Sequence, residues 1–290
     1  MIRRRFLTLA ACALAAPAAA APQTHRWQGV ALGADVALSV RGGDAPAARA
    51  FFAEAARALR QIGERFSLFR GSDLTRLNAM GHLPHPSADM LALLDLAGRV
   101  HAATGGAFDP TVQPLWQARR LGGDEAAAQK LAGWDGVRVS DHEIRLRPGM
   151  ALTLNGIAQG FAADRLAEIA QRHGLSDLLI DTGETRALGP SAWIARIETP
   201  DGRPLRRLSL RDRALATSAP FGTRIGPDGD RPHIVGPAGQ APLWATVSVS
   251  APSAALADAL STAAVLMPRP AIDPALAAFP GARLEAVSTL

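Results

Sequence analysis

An aspartate and a threonine lie four residues apart in an otherwise apolar stretch near the end of the chain. Asp258 and Thr262 fall within residues 254–267, which follow Ser253, a good helix N-cap residue. Residues four apart share one face of a helix. A carboxylate with neutral oxygens suits Mg²⁺, which also binds phosphate oxygens. The alternative is a buried hydroxyl that bonds back to the helix beside a partly exposed aspartate.

A glycine-punctuated turn at residues 155–160 could bind an anion. The apolar residues 151–154 predict a short strand before it, and helical spacing follows from Leu166 to a C-terminal Gly174. Free backbone N–H groups at a helix N-terminus favour negative charge. A tight strand-to-helix connection without a ligand is the alternative, because a lone glycine pair is a weak signal.

Two further loops carry candidate ligand groups. Residues 104–111 read Thr-Gly-Gly-Ala-Phe-Asp-Pro-Thr, and Asp109 and Thr111 could contact a ligand. A helix C-cap followed by an Asp-Pro turn that stops the helix is the alternative. His233 lies in a loop after a strand that ends in hydroxyl side chains, and its near-neutral pKa suits proton transfer. A loop histidine whose ring is satisfied by backbone groups is the alternative.

Predicted helices and strands surround these candidates, without internal repeats or an interdomain linker. Capping residues and apolar spacing predict helices at residues 47–62, 88–103 and 254–267, the last clear one. Residues 72–78 are interpreted as a polar turn with a short helical piece. Alternation and turn signals predict strands at residues 28–40 (two pieces around Gly33), 137–139, 143–146, 177–181, 186–190, 193–198, 205–210, 214–218 and 245–250. We therefore expect one domain over residues 21–290.

The first twenty residues have the three parts of an export signal. Arg3, Arg4 and Arg5 form a charged start, a short apolar stretch follows, and small residues end it. The order Arg-Arg-x-Phe-Leu is typical of twin-arginine signals, and a Sec signal with an arginine-rich start is the alternative. We expect residues 1–20 to be removed on export to the periplasm. Lipid attachment at Cys12 is a second interpretation, although the apolar stretch before it is short.

Composition excludes several classes of protein. The formal net charge is +5, and removal of the three signal arginines leaves 28 basic against 26 acidic residues. No basic stripe with interleaved aromatics is present, so we do not expect nucleic-acid binding. No apolar run of about 18 residues follows the signal, so we expect no transmembrane span. Cys12 is the only cysteine, and a core drawn from the 48% of hydrophobic residues must therefore stabilise the exported chain.

Five sequence blocks together resemble the ApbE family, the FAD:protein FMN transferases of the bacterial periplasm. They are residues 72–78 (Ser-x-Leu-x-x-Leu-Asn), 104–111, 155–164 (Asn-Gly-Ile-Ala-Gln-Gly-Phe-x-x-Asp), 216–218 with 233–234 (Ala-Thr-Ser and His-Ile), and 257–262 (Ala-Asp-Ala-Leu-x-Thr). The resemblance implies an α+β fold, a single domain with a mainly antiparallel sheet packed by helices. The third block, with Gly-Glu-Thr-Arg at residues 183–186, is also similar to a branch of the family associated with nitrous oxide respiration.

The resemblance implies that FAD is cleaved at its pyrophosphate with Mg²⁺. FMN would be joined by a phosphoester to a threonine or serine of a membrane redox protein, and AMP would be released. Phosphoryl transfer depends on charge stabilisation and orientation more than on a strong nucleophile, which suits these residues. Two alternatives remain, a FAD pyrophosphatase with water as the acceptor and a flavin-binding or flavin-donating accessory protein without turnover.

The same resemblance implies roles for individual residues. The metal ligands would be the side chains of Asp258 and Thr262 with the carbonyls of Gly156 and Ser261. Asp258 would thereby be catalytic, and His233 would act as general base or orient the acceptor hydroxyl. The residues expected to contact FAD are Asn78, Thr104, Phe108, Asp109, Gln159, Gly183, Glu184, Thr217 and Ser218.

The chain also departs from the family pattern. Gln159 stands where the family usually has a lysine, which removes a cation from the phosphate region. Thr153 replaces a usual acidic residue, and residues 32–34 lack the threonine of a Met-Gly-Thr motif. The loop at residues 236–239 is shorter than usual and lacks its charges. These departures bear on the catalytic rate and on the choice of partner.

Overall fold

The structure, a computed structural model, describes residues 23–290. The predicted export signal and the proposed lipid attachment at Cys12 lie outside the described residues and stay predictions. Within residues 23–290, no helix has both the length and the apolar character that a membrane span requires.

Most helices begin at a side chain that satisfies a free backbone N–H group. Asp44, Ser72, Ser87, Asp124 and Ser253 each accept a hydrogen bond from the first turn of a helix. The helices are α1 (Ala45–Phe66), α2 (Asp73–Met80), α3 (Ala88–Ala103), α4 (Gln113–Leu121), α5 (Glu125–Gln129), α6 (Ala158–Arg172), α7 (Ala254–Ala264) and α8 (Arg269–Ala277), with short 3₁₀ helices at Pro110–Val112 and Trp134–Gly136.

The strands of the described chain form one large sheet and three small ones. They are β1 (Thr24–Ala31), β2 (Ala34–Arg41), β3 (His82–Pro84), β4 (Val137–Val139), β5 (Glu143–Leu146), β6 (Leu178–Asp181), β7 (Thr185–Leu188), β8 (Trp193–Glu198), β9 (Pro204–Leu210), β10 (Ala214–Ser218), β11 (Arg224–Ile225), β12 (Arg231–Pro232), β13 (Thr246–Ala251) and β14 (Arg283–Ser288). The small sheets are β3-β5-β4, β8-β9 and β11-β12.

The large sheet has the order β1-β2-β6-β7-β10-β13-β14, and every neighbouring pair is antiparallel. Side chains alternate between its two faces. In β6, Leu178 and Ile180 join the main core under the helices, whereas Leu179 joins a smaller cluster with the β8–β9 hairpin. The helices and the hairpin therefore cover opposite faces.

Helix α7 lies between the large sheet and the other helices. It packs against β10 and β13 and also against α6 and α3. Its residues are buried except for Thr262, which is half-buried. A carboxylate in such a helix is costly unless its charged form has partners. The surroundings of Asp258 therefore decide what this helix can do.

Several predicted elements are present with the expected bounds. Helix α3 covers residues 88–103 with Ser87 as its N-cap. The strands β1 and β2 form the predicted hairpin around Gly33, although β1 begins at Thr24, before the predicted start at Gln28. Gly174 follows α6 with φ +71°, a conformation that glycine adopts without strain.

The predicted strand at residues 151–154 is wrong. Leu152 and Leu154 are buried as a strand would require, but no other strand pairs with this segment among the described residues. The side-chain amide of Asn78 takes the place of a ladder partner. It donates to the Leu152 carbonyl at 2.8 Å and accepts from the Leu152 N–H at 2.7 Å.

Three helices, α4, α5 and α8, were not predicted. The Asp109-Pro110 pair, which could be read as a stop, instead caps a 3₁₀ turn that leads into α4. Helix α7 ends at Ala264, before the predicted limit, and it is not the last helix, because α8 and β14 follow it.

Candidate active site

A cavity of about 450 Å³ lies where α6, α7, the end of β10 and several loops meet. Its volume is in the range of small-molecule sites. The cavity brings together residues that are far apart in the sequence. The sequence-predicted site residues on its wall are Phe108, Asp109, Gly156, Gln159, Gly183, Glu184, Thr217, Ser218, His233, Asp258 and Thr262.

Gly160 allows α6 and α7 to approach closely. A Cβ atom at this position would lie 2.2 Å from the Ala254 carbonyl oxygen, so only glycine fits. The Gly160 N–H, in the first turn of α6, donates to Asp258 Oδ2 at 3.3 Å. Free N–H groups and the helix dipole at this end both favour negative charge. The turn Asn-Gly-Ile-Ala-Gln-Gly therefore helps to position the Asp258 carboxylate in the cavity.

Asp164, also on α6, holds the N-terminus of α7. Its carboxylate accepts hydrogen bonds from Ser253 Oγ at 2.7 Å, the Ala254 N–H at 2.8 Å and the Ala255 N–H at 2.9 Å. Arg186 Nε lies 3.6 Å from the same carboxylate. These contacts fix the start of the helix that carries Asp258 and Thr262.

Asp258 and Glu184 form a buried pair of carboxyl groups. Burial raises the pKa of Asp258 to about 7, and the Gly160 N–H opposes this only in part. Burial and then the charge of Asp258 raise the pKa of Glu184 well above its usual range. The Thr217 N–H donates to Glu184 Oε2 at 3.3 Å and partly offsets the effect. Two such groups repel each other when ionised, unless a cation lies near them.

Hydroxyl groups of β10 and α7 lie on the same cavity wall as the carboxyl pair. Ser218 Oγ lies 2.8 Å from Ser261 Oγ and 3.4 Å from Thr262 Oγ1. A Cβ atom at Gly156 would lie 2.9 Å from Thr262 Oγ1, so glycine lets the turn before α6 approach this hydroxyl. The carboxylates, the hydroxyls and the turn together form a wall of oxygen atoms.

This donor set fits Mg²⁺. Hard divalent cations take carboxylate, hydroxyl and carbonyl oxygens, and Mg²⁺ is commonly held by one or two carboxylates with substrate phosphates. The two buried carboxyl groups on one cavity wall and the tight approach of Gly156 to Thr262 both suit such an ion. No cluster of three or more histidine, cysteine, aspartate or glutamate residues of the kind that transition metals prefer occurs within residues 23–290.

Gln159 connects the turn before α6 to the β6–β7 turn. Its carbonyl accepts a hydrogen bond from Thr182 Oγ1 at 2.8 Å. Gly183 has φ +100°, and a Cβ atom there would lie 3.0 Å from Gln159 Nε2. The Gln159 side chain thus lies on the wall beside Gly183 and offers a neutral amide where the family usually has a cation.

The loop after α3 provides the apolar side of the cavity. Phe108 lies on the wall, and its N–H donates to Thr104 Oγ1 at 3.2 Å. Asp109 accepts from the Thr111 N–H at 2.9 Å and from Thr111 Oγ1 at 2.6 Å. Thr111 therefore orients Asp109 and is itself turned away from the ligand that the sequence suggested for it.

His233 is half-buried on the cavity wall, and backbone carbonyls define its tautomer. Nδ1 lies 2.8 Å from the Pro220 carbonyl oxygen and 3.1 Å from that of Thr223, so Nδ1 carries the proton that it donates. Burial lowers the pKa of His233, with these carbonyls opposing. The neutral ring therefore keeps its lone pair on Nε2, as a general base requires.

Three predicted site residues are not on the cavity wall. Asn78 clamps Leu152, as described above, and lines a different surface depression. Thr104 donates to the Val100 carbonyl at 2.7 Å and supports Phe108 from below. Ser261 Oγ donates to the Asp258 carbonyl at 3.0 Å, and the Ser261 carbonyl accepts from Val265. Their predicted ligand contacts stay predictions, and their hydrogen bonds here are structural.

Sequence reasoning missed the roles of two carboxylates. Asp164 appeared only as the last letter of a motif, and nothing in the sequence indicated that it caps a helix beginning ninety residues later. Glu184 was predicted to contact FAD, but it also lines the same cavity as Asp258, whose charge raises the pKa of Glu184. The signal for Glu184 was its place after a strand-ending glycine, where a side chain can turn towards the end of a neighbouring strand.

Comparison with known proteins agrees with this arrangement. A sequence model of the ApbE family matches residues 32–285. The chain belongs to the ApbE family. Among curated proteins of that kind, it is 30% identical over 264 residues to a FAD:protein FMN transferase of Treponema pallidum, covering 74% of this chain and 73% of the relative. It is 27% identical over 282 residues to one of Klebsiella pneumoniae, covering 87% and 81%.

Solved structures of ApbE proteins share the fold. The apo form of the flavinyl transferase ApbE of Pseudomonas stutzeri superposes with a TM-score of 0.76 at 27% identity, covering 90% of this chain and 89% of that one. The ApbE protein of Thermotoga maritima superposes with a TM-score of 0.80 at 25% identity, covering 92% and 97%. The predicted α+β domain with a mainly antiparallel sheet is thereby confirmed.

Proposed function

We propose that this protein is a FAD:protein FMN transferase. The bond between the two phosphates of FAD breaks, the FMN phosphorus forms an ester with a threonine or serine hydroxyl of an acceptor protein, and AMP leaves. The hydroxyl proton passes to a base. The relatives named above carry this activity in their names, and the chain spans most of their length.

One observation carries the proposal. A single cavity holds a buried carboxylate pair, the N-terminal turn of α6 and a histidine with a free Nε2 lone pair. Phosphoryl transfer needs stabilisation of phosphate charge, a fixed orientation and a proton acceptor. Each of these needs has a residue at the cavity.

Asp258, Glu184 and Thr262, with the backbone of Gly156, would hold Mg²⁺. When bound, Mg²⁺ would neutralise charge on the pyrophosphate and polarise its oxygens. The chain's own contribution is to hold these oxygens in place: Gly160 sets the depth of Asp258, and Thr217 holds Glu184. Gln159 would contact the phosphates as a neutral hydrogen-bonding group.

His233 would accept the proton of the acceptor hydroxyl at Nε2. Its Nδ1 is held by two carbonyls, so the ring cannot turn without losing those hydrogen bonds. Phe108 and the neighbouring loop would provide an apolar surface for the flavin ring. FAD would therefore lie with its pyrophosphate towards α7 and its ring towards Phe108.

We also propose that the protein acts in the periplasm after export by the twin-arginine route, with residues 1–20 removed. The acceptor would be a membrane redox protein that carries the modified threonine or serine. Support for the location comes from the sequence Arg-Arg-x-Phe-Leu and the small residues that follow it.

One experiment separates the proposal from its alternatives. The protein is incubated with FAD, Mg²⁺ and a threonine-containing acceptor peptide, and AMP, free FMN and peptide mass are followed. AMP together with a peptide that gains FMN supports transfer. AMP with free FMN indicates a pyrophosphatase, and bound FAD without AMP indicates an accessory protein without turnover.

The His233→Ala variant tests the role of the histidine in the same assay. We expect FMN transfer to slow by at least about 100-fold, as for loss of a general base, while FAD binding measured by flavin fluorescence is retained. An equal loss of transfer and of FAD binding would indicate that His233 only maintains the cavity.

A further inference from the structure

A second depression, the basic groove, lies beside the active-site cavity. It has a volume of about 1060 Å³ and is lined by the β1–β2 turn, one side of α1 and the loops at residues 67–70 and 222–224. Two of its apolar side chains are unusually open to solvent: Val30 is 71% and Phe69 70% exposed. Exposed large apolar side chains at the rim of a concavity are typical of a binding surface.

Arg60, Arg70 and Arg224 line this groove, and no acidic residue does. All three arginines are exposed, and within residues 23–290 none of them forms an ion pair. Other arginine side chains do pair with carboxylates, as Arg65 does with Asp89. The groove therefore presents positive charge without a partner of its own, next to apolar surface.

Two of the three arginines, Arg70 and Arg224, are held in place by contacts that do not neutralise them. Arg70 Nη2 donates to the Arg60 carbonyl at 3.2 Å, and a Cβ atom at Gly63 would lie 1.6 Å from Arg70 Nη2. The guanidinium of Arg70 thus lies directly over a glycine of α1. The guanidinium carbon of Arg224 lies 5.4 Å from the ring centre of Phe221. Such fixed guanidinium groups lose less entropy when they bind a carboxylate.

The basic groove is continuous with the cavity. Phe69 and Thr223 line both. The carbonyl of Thr223 is one of the two groups that accept the Nδ1 proton of His233. A chain segment in the groove would therefore pass the residue that holds the proposed base.

We propose that the basic groove binds the acceptor protein through an extended acidic segment next to the modified hydroxyl. This rests on the proposed transfer to a protein hydroxyl and adds where the acceptor lies and what chemistry selects it. Carboxylates of the segment pair with Arg60, Arg70 and Arg224, and an apolar side chain packs between Val30 and Phe69. A concave groove that leads to His233 suits a polypeptide better than a lipid surface, which would require a flat or protruding face.

The test compares two labelled peptides by fluorescence anisotropy in the presence of FAD and without Mg²⁺, so that no FMN is transferred during the measurement. One has a central threonine flanked by leucines and aspartates, and the other has asparagine in place of each aspartate. The full chain and the chain that begins at Ala21 are both used. We expect the chain from Ala21 to bind the aspartate peptide about 10-fold more tightly than the asparagine peptide. This preference should weaken as the salt concentration is raised.

Three variants localise the effect. The double variant Arg60→Glu with Arg224→Glu should abolish the preference. Gly63→Ala should reduce it about 2- to 3-fold, because the new methyl displaces Arg70 while alanine favours the helix. Arg207→Glu, an exposed arginine of β9 on the other face of the sheet, should leave it unchanged. In the transfer assay, the double variant should raise the KM for the peptide and not that for FAD.

Three outcomes would overturn the proposal. The first is equal binding of both peptides. The second is a loss of the peptide preference in Arg207→Glu as large as in the double variant. The third is displacement of the peptide by phosphatidylglycerol vesicles that bind through the same arginines. Failure of the proposed function gives a different result, because peptide preference is measured without turnover. A preference for the aspartate peptide without AMP release would support the groove as a binding site for an acidic segment and would refute the transferase activity.

Discussion

Two aspartates near helix α7 have opposite surroundings. Asp164, at the start of the helix, accepts three hydrogen bonds and lies 3.6 Å from an arginine nitrogen. Asp258, within the helix, accepts one long hydrogen bond from Gly160 and faces a second carboxyl group. One charge is fully compensated by the protein, and the other is not.

The difference separates a structural carboxylate from one prepared for a ligand. A buried charge that already has its partners contributes to the fold. A buried carboxyl group whose pKa has risen to about 7 costs stability when ionised and gains most from an added cation. Helices α6 and α7 therefore carry both the carboxylate that stabilises the site, Asp164, and the one available to a ligand, Asp258.

The largest expected effect is the loss of FAD cleavage in the Asp258→Asn variant. Asp258→Asn keeps the shape of the side chain and removes its charge, so FAD cleavage should fall by about 100-fold or more, since a metal contributes several kcal/mol to charge stabilisation. Stability in the absence of Mg²⁺ should not fall, because burial disfavours the ionised group. AMP release and thermal unfolding measure the two quantities. Unchanged AMP release would remove the metal assignment.

Asp164→Asn should have the opposite profile. The free energy of unfolding should fall by about 2–4 kcal/mol, because helix-cap hydrogen bonds are weakened and the Arg186 guanidinium loses its charge partner. Urea unfolding measures this. Asp273→Asn, which removes an exposed ion pair with Arg269, is the control and should change stability by less than about 1 kcal/mol. A control as costly as Asp164→Asn would contradict the structural assignment.

Gly160→Ala should affect both the start of α7 and Asp258 within it. Its methyl would lie 2.2 Å from the Ala254 carbonyl oxygen, so α7 must move, at a cost of about 1–3 kcal/mol and with loss of the Gly160 contact to Asp258. The free energy of unfolding, measured in urea, and the rate of AMP release should therefore both decrease. Gly63→Ala is the matched control for stability, because its methyl meets only the flexible end of Arg70. Equal behaviour of the two variants would show that the helices do not pack as described.

His233 is a half-buried ionisable group of the same cavity, and its substitution should have the smallest effect on stability. Burial lowers its pKa, so below the unfolded value of about 6.5 the unfolded chain binds more protons than the folded one. Its contribution to stability is therefore present above about pH 6.5 and is lost as the pH falls towards the lowered pKa. Unfolding at a series of pH values should show a shallower acid-side slope for His233→Gln than for the unchanged protein. An identical slope would indicate that the ring is not desolvated.

Local signals predicted much of the fold. Ser87 and Ser253 each precede a helix that they cap, and Gly33 and Gly174 mark a hairpin and a helix end, because caps and turns are decided by neighbouring residues. The segment at residues 151–154 misled because burial, which gives a strand its apolar pattern, was present without a strand partner. Asn78, far away in the sequence, supplied the hydrogen bonds.

Only the local features of the site were predictable from the sequence. Asp258 and Thr262 share a helix face by local spacing, but their meeting with the turn before α6 and with His233 entered only through family resemblance. The cap from Asp164 to α7 and the coupling of Glu184 to Asp258 depend on the packing of α6 on α7 and on the pairing of sheet strands. No local pattern encodes such contacts between distant segments.

Thermal unfolding with increasing Mg²⁺ tests the central claim most directly. A ligand that binds only the folded state raises its stability, by about 2.7 kcal/mol at a concentration 100-fold above its dissociation constant. The unchanged protein and Asp164→Asn should both gain in Tm, the variant from a lower starting value, whereas Asp258→Asn should gain nothing. An equal gain in Asp258→Asn would contradict the assignment of Asp258 as the carboxylate that the protein leaves for the metal.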